Sequence, residues 1–306
     1  MSLHSRPLAV PPQPIALLKR AMAELLRRLL VRTGLDDHLA RRTQGEPPSS
    51  FLARLAPPNT IYKAPTVRTA VREGLELELD VSDYMQWCTY YGIAIEPREI
   101  LYRLAGEGMV VLDVGTNVGE TLLNLARRVG SAGLVHGFEV NPTTFERCRR
   151  NVTRNGLGQI RLHHVGLGNE AGVLALDRRN VRNTGGDRLR PLASTDTESA
   201  ARIPVTTLDA FVAQESITRI DLIKIDVEGF ETNIVKGGRR TLASLGPTLF
   251  VELSDPNLRA AGSSPRELVM DLVALGYRLR HAETGETIDV AYDFTNVHFD
   301  VVGVPG

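Results

Sequence analysis

The sequence predicts an α/β protein with a mostly parallel sheet that is covered by helices on both faces. Short apolar runs typical of buried strands recur along the chain, and segments with helical spacing stand between several of them. A glycine turn also joins one of these runs directly to a helix. With 306 residues, 42% of them hydrophobic, the chain can bury a substantial core in one large domain or two small ones.

The first 60 residues differ from the rest, because they hold nine Lys and Arg against four Asp and Glu and are interrupted by proline pairs. One helix is predicted over Pro14–Arg32. Its apolar face is formed by Leu18, Met22, Leu25 and Leu29. We expect this helix to pack on the body of the protein or on a second subunit, which would make a homo-oligomer. The alternative is an amphipathic helix on an anionic membrane, although Trp and Phe are absent from it.

We therefore expect an N-terminal extension over residues 1–74 and a single α/β domain over residues 75–306. The strict alternation from Leu75 to Leu79 predicts a half-buried strand, and a helix is expected over Pro97–Ala105. A further helix is expected over Glu231–Ala243. The later apolar runs predict strands at Ile160–Val165, Ile220–Ile225, Thr248–Leu253 and Val297–Val302.

A strand, a glycine turn and a helix follow one another from Val110 to Val129. Such a unit places backbone N–H groups around a small ligand at the carboxyl edge of a parallel sheet. A second apolar run ends in Glu139, where an acid can accept hydrogen bonds from both hydroxyls of a ribose. The residues expected to bind the cofactor around these two strand ends are Asp113, Gly115, Thr116, Asn117, Gly119, Glu139 and Val140.

The turn is unsuited to a pyrophosphate. The nicotinamide fingerprint requires glycine at its first, third and sixth positions, which here are Gly115, Asn117 and Glu120. The missing glycines hinder close approach of phosphates, and Glu120 adds a carboxylate near their charge. The sequence thus predicts a nucleoside without phosphates, with S-adenosylmethionine as the obvious candidate. A nicotinamide-dependent oxidoreductase and a cofactor-binding scaffold without catalysis remain as alternatives.

Four blocks of the chain resemble the FkbM family of S-adenosylmethionine-dependent methyltransferases. They are Leu79–Tyr84, Leu112–Gly119, Thr206–Asp209 and Asp221–Glu231, and the Lys-Ile-Asp-Val-Glu-Gly run in the last is the most specific. The resemblance covers about residues 75–303. It implies a Rossmann-like class I methyltransferase fold with a seven-stranded sheet that ends in an antiparallel strand. It also implies O-methyl transfer to a hydroxyl of a sugar or another secondary metabolite.

A second group of acids is expected at the same sheet edge. Asp226 ends an apolar strand, Glu228 lies two residues on, and Glu252 is near the end of the next strand. These carboxylates are the catalytic candidates, because methyl transfer to oxygen requires a positioned hydroxyl and removal of its proton. Asp226 also counts among the cofactor-binding candidates. Asp226 and Glu228 could instead hold a divalent cation, or only cap the following helix.

The acceptor is expected to be a small molecule with a hydroxyl group. Asn183 and Gly185, in a loop that resembles one of the family, and Tyr91, in an aromatic segment, are the candidate substrate-binding residues. The long polar segment Arg178–Arg202 is either a lid over the site or a solvated loop. His298 and the pair at positions 163 and 164 are more typical of structural histidines, so the sequence identifies no general base.

Composition argues against several other classes of protein. A net charge of zero does not favour nucleic acid as a partner. The two cysteines, Cys88 and Cys148, are far apart and suggest a reducing cytosol rather than a disulfide framework or zinc site. No apolar run approaches the roughly 20 residues needed to cross a bilayer, and no segment has the pattern of a cleavable signal. We therefore expect a cytoplasmic enzyme.

Overall fold

The computed structural model describes residues 14–93, 96–177, 186–193, 196 and 201–306. Its helices are α1 Pro14–Thr33, α2 Leu35–Arg42, α3 Phe51–Leu55, α4 Tyr84–Tyr91, α5 Glu96–Leu104, α6 Glu120–Val129, α7 Pro142–Asn155, α8 Leu208–Gln214, α9 Glu231–Gly237, α10 Arg239–Leu245, α11 Asp255–Ala260 and α12 Pro265–Ala274. Its strands are β1 Val67–Arg72, β2 Leu75–Asp80, β3 Val110–Val114, β4 Leu134–Phe138, β5 Ile160–His163, β6 Gly166–Gly168, β7 Gly172–Asp177, β8 Arg188–Arg190, β9 Arg202–Thr207, β10 Leu222–Ile225, β11 Thr248–Ser254, β12 Tyr277–His281, β13 Thr287–Ile288 and β14 His298–Pro305.

The central sheet has the order β13-β12-β14-β11-β10-β3-β4-β5, which makes eight strands in the described part of the chain. The strands from β11 to β5 are parallel, whereas β14 is antiparallel to both of its neighbours. The predicted α/β fold and its antiparallel ending are therefore confirmed. The eighth strand is β13, a two-residue edge strand that the seven-stranded prediction did not include.

Helices cover both faces of this sheet, as predicted. Neighbouring residues of one strand enter different cores, because side chains alternate across a sheet. Val111 and Leu222 pack with the residues of α6, whereas Leu112 and Ile223 pack with α9 and α12 on the other face. The strands β3 and β10 are nearly or fully buried for this reason, which places their carboxyl ends, and the turns that follow, at the centre of the molecule.

Three parts of the structure differ from the sequence-based expectations. The strands β6 to β9 form a separate sheet in the order β6-β9-β7-β8, so the segment expected to be one long loop contains strand β8 and the start of β9. The predicted helix 231–243 is two helices that meet at Gly238, where a Cβ would lie 2.6 Å from the Leu208 side chain. The boundary at residue 74 falls within the turn of the hairpin β1-β2.

The N-terminal helices attach to the domain through buried polar contacts. The Tyr62 hydroxyl donates to Asp36 Oδ2 over 2.8 Å and lies 3.1 Å from the Tyr91 hydroxyl. Arg68 pairs with both Asp36 and Asp37. Because these charges are paired and bonded where they are buried, the contact is specific as well as stabilising. Over the described ranges, none of the helices is both long and apolar enough to span a bilayer.

Candidate active site

The turn after β3 has a backbone that most residues cannot adopt. Gly115, Asn117 and Gly119 all have positive φ angles, of 85°, 51° and 92°. A Cβ on Gly115 would lie 2.0 Å from the carbonyl oxygen of Asp226, and one on Gly119 would lie 2.8 Å from Cys148 Sγ. The two glycines therefore allow close approach of the β10 turn and of helix α7. This packing keeps the turn open toward the cavity on its other side.

Glu139, which directly follows β4, joins the two strand-end turns. Its Oε2 accepts from the Asn117 N–H over 2.9 Å, and its Oε1 accepts from the Asn141 N–H over 2.8 Å. Burial raises the pKa of this carboxyl to about 7, although both hydrogen bonds oppose the shift. Each carboxylate oxygen retains a further lone pair, so Glu139 can also accept hydrogen bonds from two ribose hydroxyls.

The side chain of Lys224, in β10, binds the backbone of the Gly115 turn. Its side chain is 6% exposed, and its Nζ donates to the Gly115 carbonyl over 2.7 Å. The same Nζ lies 3.5 Å from Asp113 Oδ1 and 3.3 Å from Asp226 Oδ2. Burial disfavours the charge, but the two carboxylates outweigh it and raise the pKa of Lys224. The charged Lys224 thereby connects the ends of β3 and β10.

A cavity of about 520 Å³ opens at this edge of the sheet, a size suited to a cofactor with part of a second substrate. Eight of the predicted residues lie in it or close under it. The cavity wall includes Gly115, Asn117, Glu139, Val140, Asp226, Glu228 and Glu252. Asp113 instead lies fully buried beneath the turn, and Thr116 and Gly119 shape the turn without lining the cavity.

The donor side of the cavity fits a nucleoside without phosphates. Asn117 Oδ1 is buried and has no hydrogen-bond partner within the described ranges, so it offers an acceptor to a ligand's ammonium or hydroxyl group. Phe138, Val140 and Leu167 supply apolar wall for a base. Glu139 lines this region and offers hydrogen-bond acceptors to ribose hydroxyls. The hydrogen-bond acceptors of Glu139 and Asn117 thus suit a ligand with a sugar and an amino-acid group.

Four carboxyl groups line the opposite side of the cavity: Asp226, Glu228, Glu252 and Asp300. Asp226 is 44% exposed and therefore accessible to a ligand. Glu228 Oε2 accepts from Asn257 Nδ2 over 2.7 Å. Glu252 Oε1 lies 3.7 Å from His298 Nδ1, and Glu252 is the register partner of Asp300. The Asp226–Glu228 turn is itself held by Glu231, which accepts from the N–H groups of residues 227 and 229.

The three candidate substrate-binding residues, unlike the acids, are not found in the cavity wall of the described structure. Tyr91 lies outside the cavity, because its side chain is fully buried and bonds to Tyr62 of the N-terminal extension. Tyr84, about two turns earlier in the aromatic segment, lines the cavity instead. Asn183 and Gly185 lie outside the described residues.

Three charged cavity residues were missed by the sequence reasoning: Arg98, Asp187 and Asp300. Asp300 stands two residues after His298 in the last strand, but only the antiparallel pairing of β14 with β11 brings it opposite Glu252. Arg98 reaches the cavity through helix α5, where it pairs with Glu120. A period-2 pattern in the last strand was the available signal for Asp300.

The carboxyl groups do not form an evident cation site. Among the residues that the structure describes, no three His, Cys, Asp or Glu side chains are grouped to hold a metal ion. Asp226 and Glu228, the pair considered for a divalent cation, therefore lack a third protein ligand within those ranges. Lys224 already neutralises part of the charge of Asp226.

The stability of the ligand-free protein is expected to fall as the pH rises. Burial and the charge of Asp226 raise the pKa of Glu228 and Asp300 to about 7 and that of Glu252 to about 10. In the unfolded chain such groups titrate at about 4, so the folded protein holds extra protons between these values. The stabilisation that these extra protons give the folded state is complete below the unfolded pKa and is lost as the pH rises through the folded pKa.

Glu252→Gln is expected to flatten this dependence by up to about 1.4 kcal/mol per pH unit between about pH 4.5 and 10. Denaturant unfolding at a series of pH values measures the slope. Substitution of the exposed Glu170 by Gln is the matched control and should leave the slope as it is. An unchanged slope in Glu252→Gln would show that this carboxyl ionises normally in the fold.

The chain is similar to known methyltransferases. The chain matches the family described as "Methyltransferase FkbM domain" over residues 113–279. It is 27% identical to "Methyltransferase 1" of Beauveria bassiana over 162 residues, covering 47% of this chain and 64% of that protein. It is 27% identical to "Hexuronic acid methyltransferase AglP" of Haloferax volcanii over 146 residues, covering 48% and 56%. It is 26% identical to "2-O-methyltransferase NoeI" of Sinorhizobium fredii over 188 residues, covering 58% and 75%.

The alignments thus span less than two thirds of the first two of these relatives. Among solved structures, an FkbM methyltransferase from Methylobacillus flagellatus is similar to the chain with a TM-score of 0.41 and 16% identity, covering 90% of this chain and 60% of that one. The family match covers more than half of the 306 residues and includes both strand-end turns. The protein belongs to the FkbM family of S-adenosylmethionine-dependent methyltransferases.

Proposed function

We propose that the protein transfers the methyl group of S-adenosylmethionine to a hydroxyl oxygen of a small molecule, a sugar or another polyhydroxylated metabolite. One observation carries this proposal: a single cavity has the Gly115 turn and Glu139 on one side and the carboxyl groups of Asp226, Glu228 and Glu252 on the other. A donor bound at the first side would direct its methyl group toward an acceptor held at the second. The reacting atoms would then be held close together.

The half of the cavity next to Gly115 and Glu139, called the donor half, would hold the cofactor through hydrogen-bond acceptors and an apolar wall. Glu139 would accept hydrogen bonds from the ribose hydroxyls of S-adenosylmethionine, and Asn117 Oδ1 would accept one from the amino group of its methionine part. Val140 and the apolar wall beside it cover the base. Asp226, at the boundary of the two halves, places a carboxylate near the sulfonium. Asp113, Thr116 and Gly119 act indirectly, because they fix the shape of the turn and lie outside the cavity wall.

The acceptor half positions a hydroxyl and removes its proton. When bound, the cofactor supplies a methyl group whose bond to sulfur breaks as the new bond to oxygen forms. Glu228 is suited to take the hydroxyl proton, because a pKa of about 7 makes it a base near neutral pH. Glu252 keeps its proton at that pH, with a pKa of about 10, and donates a hydrogen bond that orients the acceptor. Asp226 completes the wall.

The carboxyl groups of this half favour an acceptor with several hydroxyl groups. Asp226, Glu228, Glu252 and Asp300 lie in one part of the wall, and hydroxyl groups can donate hydrogen bonds to their oxygens. The name of one relative, a 2-O-methyltransferase, supports transfer to oxygen, and the name of another, a hexuronic acid methyltransferase, supports a sugar as the acceptor. Several hydroxyl groups near the site of transfer are the expected feature of the acceptor.

Incubation with methyl-labelled S-adenosylmethionine and an extract of the producing cell tests the proposal. Label is expected in a small molecule, and it should survive mild alkali, because a methyl ether is stable where a methyl ester releases methanol. Release of labelled methanol would show transfer to a carboxylate. Label in no product, with the cofactor still bound, would favour a scaffold without catalysis. Binding of a nicotinamide dinucleotide instead of S-adenosylmethionine would indicate an oxidoreductase.

Glu228→Gln is expected to lower turnover by about 10²- to 10⁴-fold, the usual contribution of a general base. Cofactor affinity, measured by calorimetry, should change little, because Glu228 lies on the acceptor side. In the unsubstituted enzyme, turnover should fall as the pH drops below about 7 and Glu228 becomes protonated. A Glu228→Gln enzyme with full turnover and the same pH profile would remove this residue from the reaction.

A further inference from the structure

Helix α1 has one face against the protein and another exposed to solvent. Its half-buried positions include Ala23, Arg27 and Val31, which recur at helical spacing. Val31 packs against the main core, and Arg27 Nη2 donates to the Arg54 carbonyl over 2.6 Å, which ties α1 to α3. Glu24 and Leu30 are half-buried as well, so the side of α1 toward the protein combines apolar residues with an arginine and a glutamate.

The exposed side of α1 carries the large apolar residues. Their exposed fractions are 63% for Met22, 70% for Leu25, 46% for Leu26 and 54% for Leu29. At about 100° per residue, these four positions fall within a band of about 100° on the helix surface. We refer to Met22, Leu25, Leu26 and Leu29 as the α1 stripe. A contiguous apolar surface of this kind marks an interaction site in a soluble domain.

The charges around the α1 stripe distinguish its possible partners. Arg28 and Arg32 are exposed along one border of the stripe, while Glu24, the single acid in the helix sequence, is bonded to Arg28 over 3.1 Å. The first 60 residues hold nine Lys and Arg against four Asp and Glu, although the whole chain is neutral. The N-terminal segment of the sequence that contains the stripe is therefore basic.

This distribution disfavours a second copy of the chain as the partner. Two α1 stripes packed antiparallel would bring Arg28 and Arg32 of one copy next to those of the other, and two packed parallel would leave these arginines without an acid. The helix offers no free acid to pair with them, because Glu24 already pairs with Arg28. Stable helix pairs usually place opposite charges along the borders of the apolar seam. An anionic lipid surface satisfies both features, since it accepts apolar side chains and attracts the flanking arginines.

We propose that α1 anchors the protein to the surface of an anionic bilayer. The helix lies parallel to the membrane, with the α1 stripe inserted among the headgroups and Arg32 paired with lipid phosphates and carboxylates. Arg28 can exchange Glu24 for a lipid, because an exposed pair of this kind is weak. Leu35 and Phe51, at the starts of the next two helices, are 56% and 75% exposed and add apolar surface at the same end of the chain. The anchor is independent of the proposed methyl transfer.

Co-sedimentation of the full chain with vesicles tests the anchor. Vesicles of phosphatidylcholine with phosphatidylserine should bind the protein, binding should weaken as salt is added, and vesicles of phosphatidylcholine alone should bind it much less. The double substitution Leu25→Glu with Leu29→Glu should lower binding by about tenfold or more, and Arg28→Gln with Arg32→Gln should do so at low salt. The matched control is Met270→Glu with Val273→Glu, which changes exposed apolar residues of helix α12.

Each of the following three outcomes would overturn the proposed membrane anchor. Equal binding of the α1 and α12 variants would show that the stripe is not the contact. Absence of binding to the phosphatidylserine vesicles would remove the membrane as the partner. A dimer in light scattering that becomes a monomer on Leu25→Glu with Leu29→Glu would identify a second copy as the occupant. Thermal unfolding of each variant establishes that it is folded, and the stripe is already exposed, so these substitutions should leave the fold intact.

Discussion

Gly115→Ala is expected to weaken binding of S-adenosylmethionine by about hundredfold or more. The new Cβ would lie 2.0 Å from the Asp226 carbonyl oxygen, and the residue has a φ of 85° that alanine adopts only with strain. Relief requires that the β3 turn and the β10 turn move apart, which displaces Asn117 and Asp226 from opposite sides of the cavity. We expect affinity to fall by about hundredfold or more in calorimetry, equivalent to about 2.7 kcal/mol.

The matched control for this substitution is Gly156→Ala. Gly156 ends helix α7 with a φ of 61°, but a Cβ there would meet no other atom within 4 Å. Both variants thus introduce backbone strain, of about 1–2 kcal/mol, whereas only Gly115→Ala adds the overlap with Asp226. Gly156→Ala should be slightly less stable and bind the cofactor normally. Equal affinities for the two variants would mean that the cofactor does not bind against the Gly115 turn.

Lys224→Met is expected to produce the largest loss of stability of any substitution at the site. Lys224 is the cation beside the fully buried Asp113 and the partly exposed Asp226, and it donates to the Gly115 carbonyl. Its removal leaves a buried carboxylate without compensation, which typically costs about 3–5 kcal/mol. Denaturant unfolding measures this loss. Cofactor binding should decrease as well, because the ends of β3 and β10 are no longer held together.

Two further variants test whether the unpaired charge of Asp113 causes the loss of stability in Lys224→Met. Lys236→Met removes a surface lysine that pairs with Glu267, where both partners are well exposed, and should cost less than about 1 kcal/mol. Adding Asp113→Asn to Lys224→Met should recover part of the lost stability, because the uncompensated charge is then removed. If the double variant were as unstable as Lys224→Met alone, the loss would instead reflect packing of the lysine stem or the bond to Gly115.

Much of the fold could be predicted from local patterns. The strands β2, β3, β4 and β11 and the helix α6 lie close to where their periodicity placed them, because each element has a continuous apolar or alternating pattern. The sheet β6-β9-β7-β8 was not predicted. Its strands are short and follow no strong pattern, and they are stabilised by pairing with one another along distant parts of the chain.

Some residues of the candidate site could likewise be predicted from local patterns, and others could not. Gly115, Asn117 and Glu139 could be identified because a tight turn and a strand-end acid leave a local pattern in the sequence. Tyr91 could not be distinguished from Tyr84, since only the docking of Tyr62 and Asp36 decides that Tyr91 is buried away from the cavity. Burial of this kind depends on contacts between segments about 30 residues apart.

The sequence by itself determined the α/β class, the phosphate-free nucleoside turn and the acids that end the strands, because those features depend on a residue's immediate neighbours along the chain. Only the tertiary structure decided that Asp300 faces Glu252, that Lys224 lies between two carboxylates, and that the α1 stripe points away from the protein. Charge pairing and exposure are properties of surfaces that meet in space. They depend on how distant elements pack, which a one-dimensional pattern does not contain.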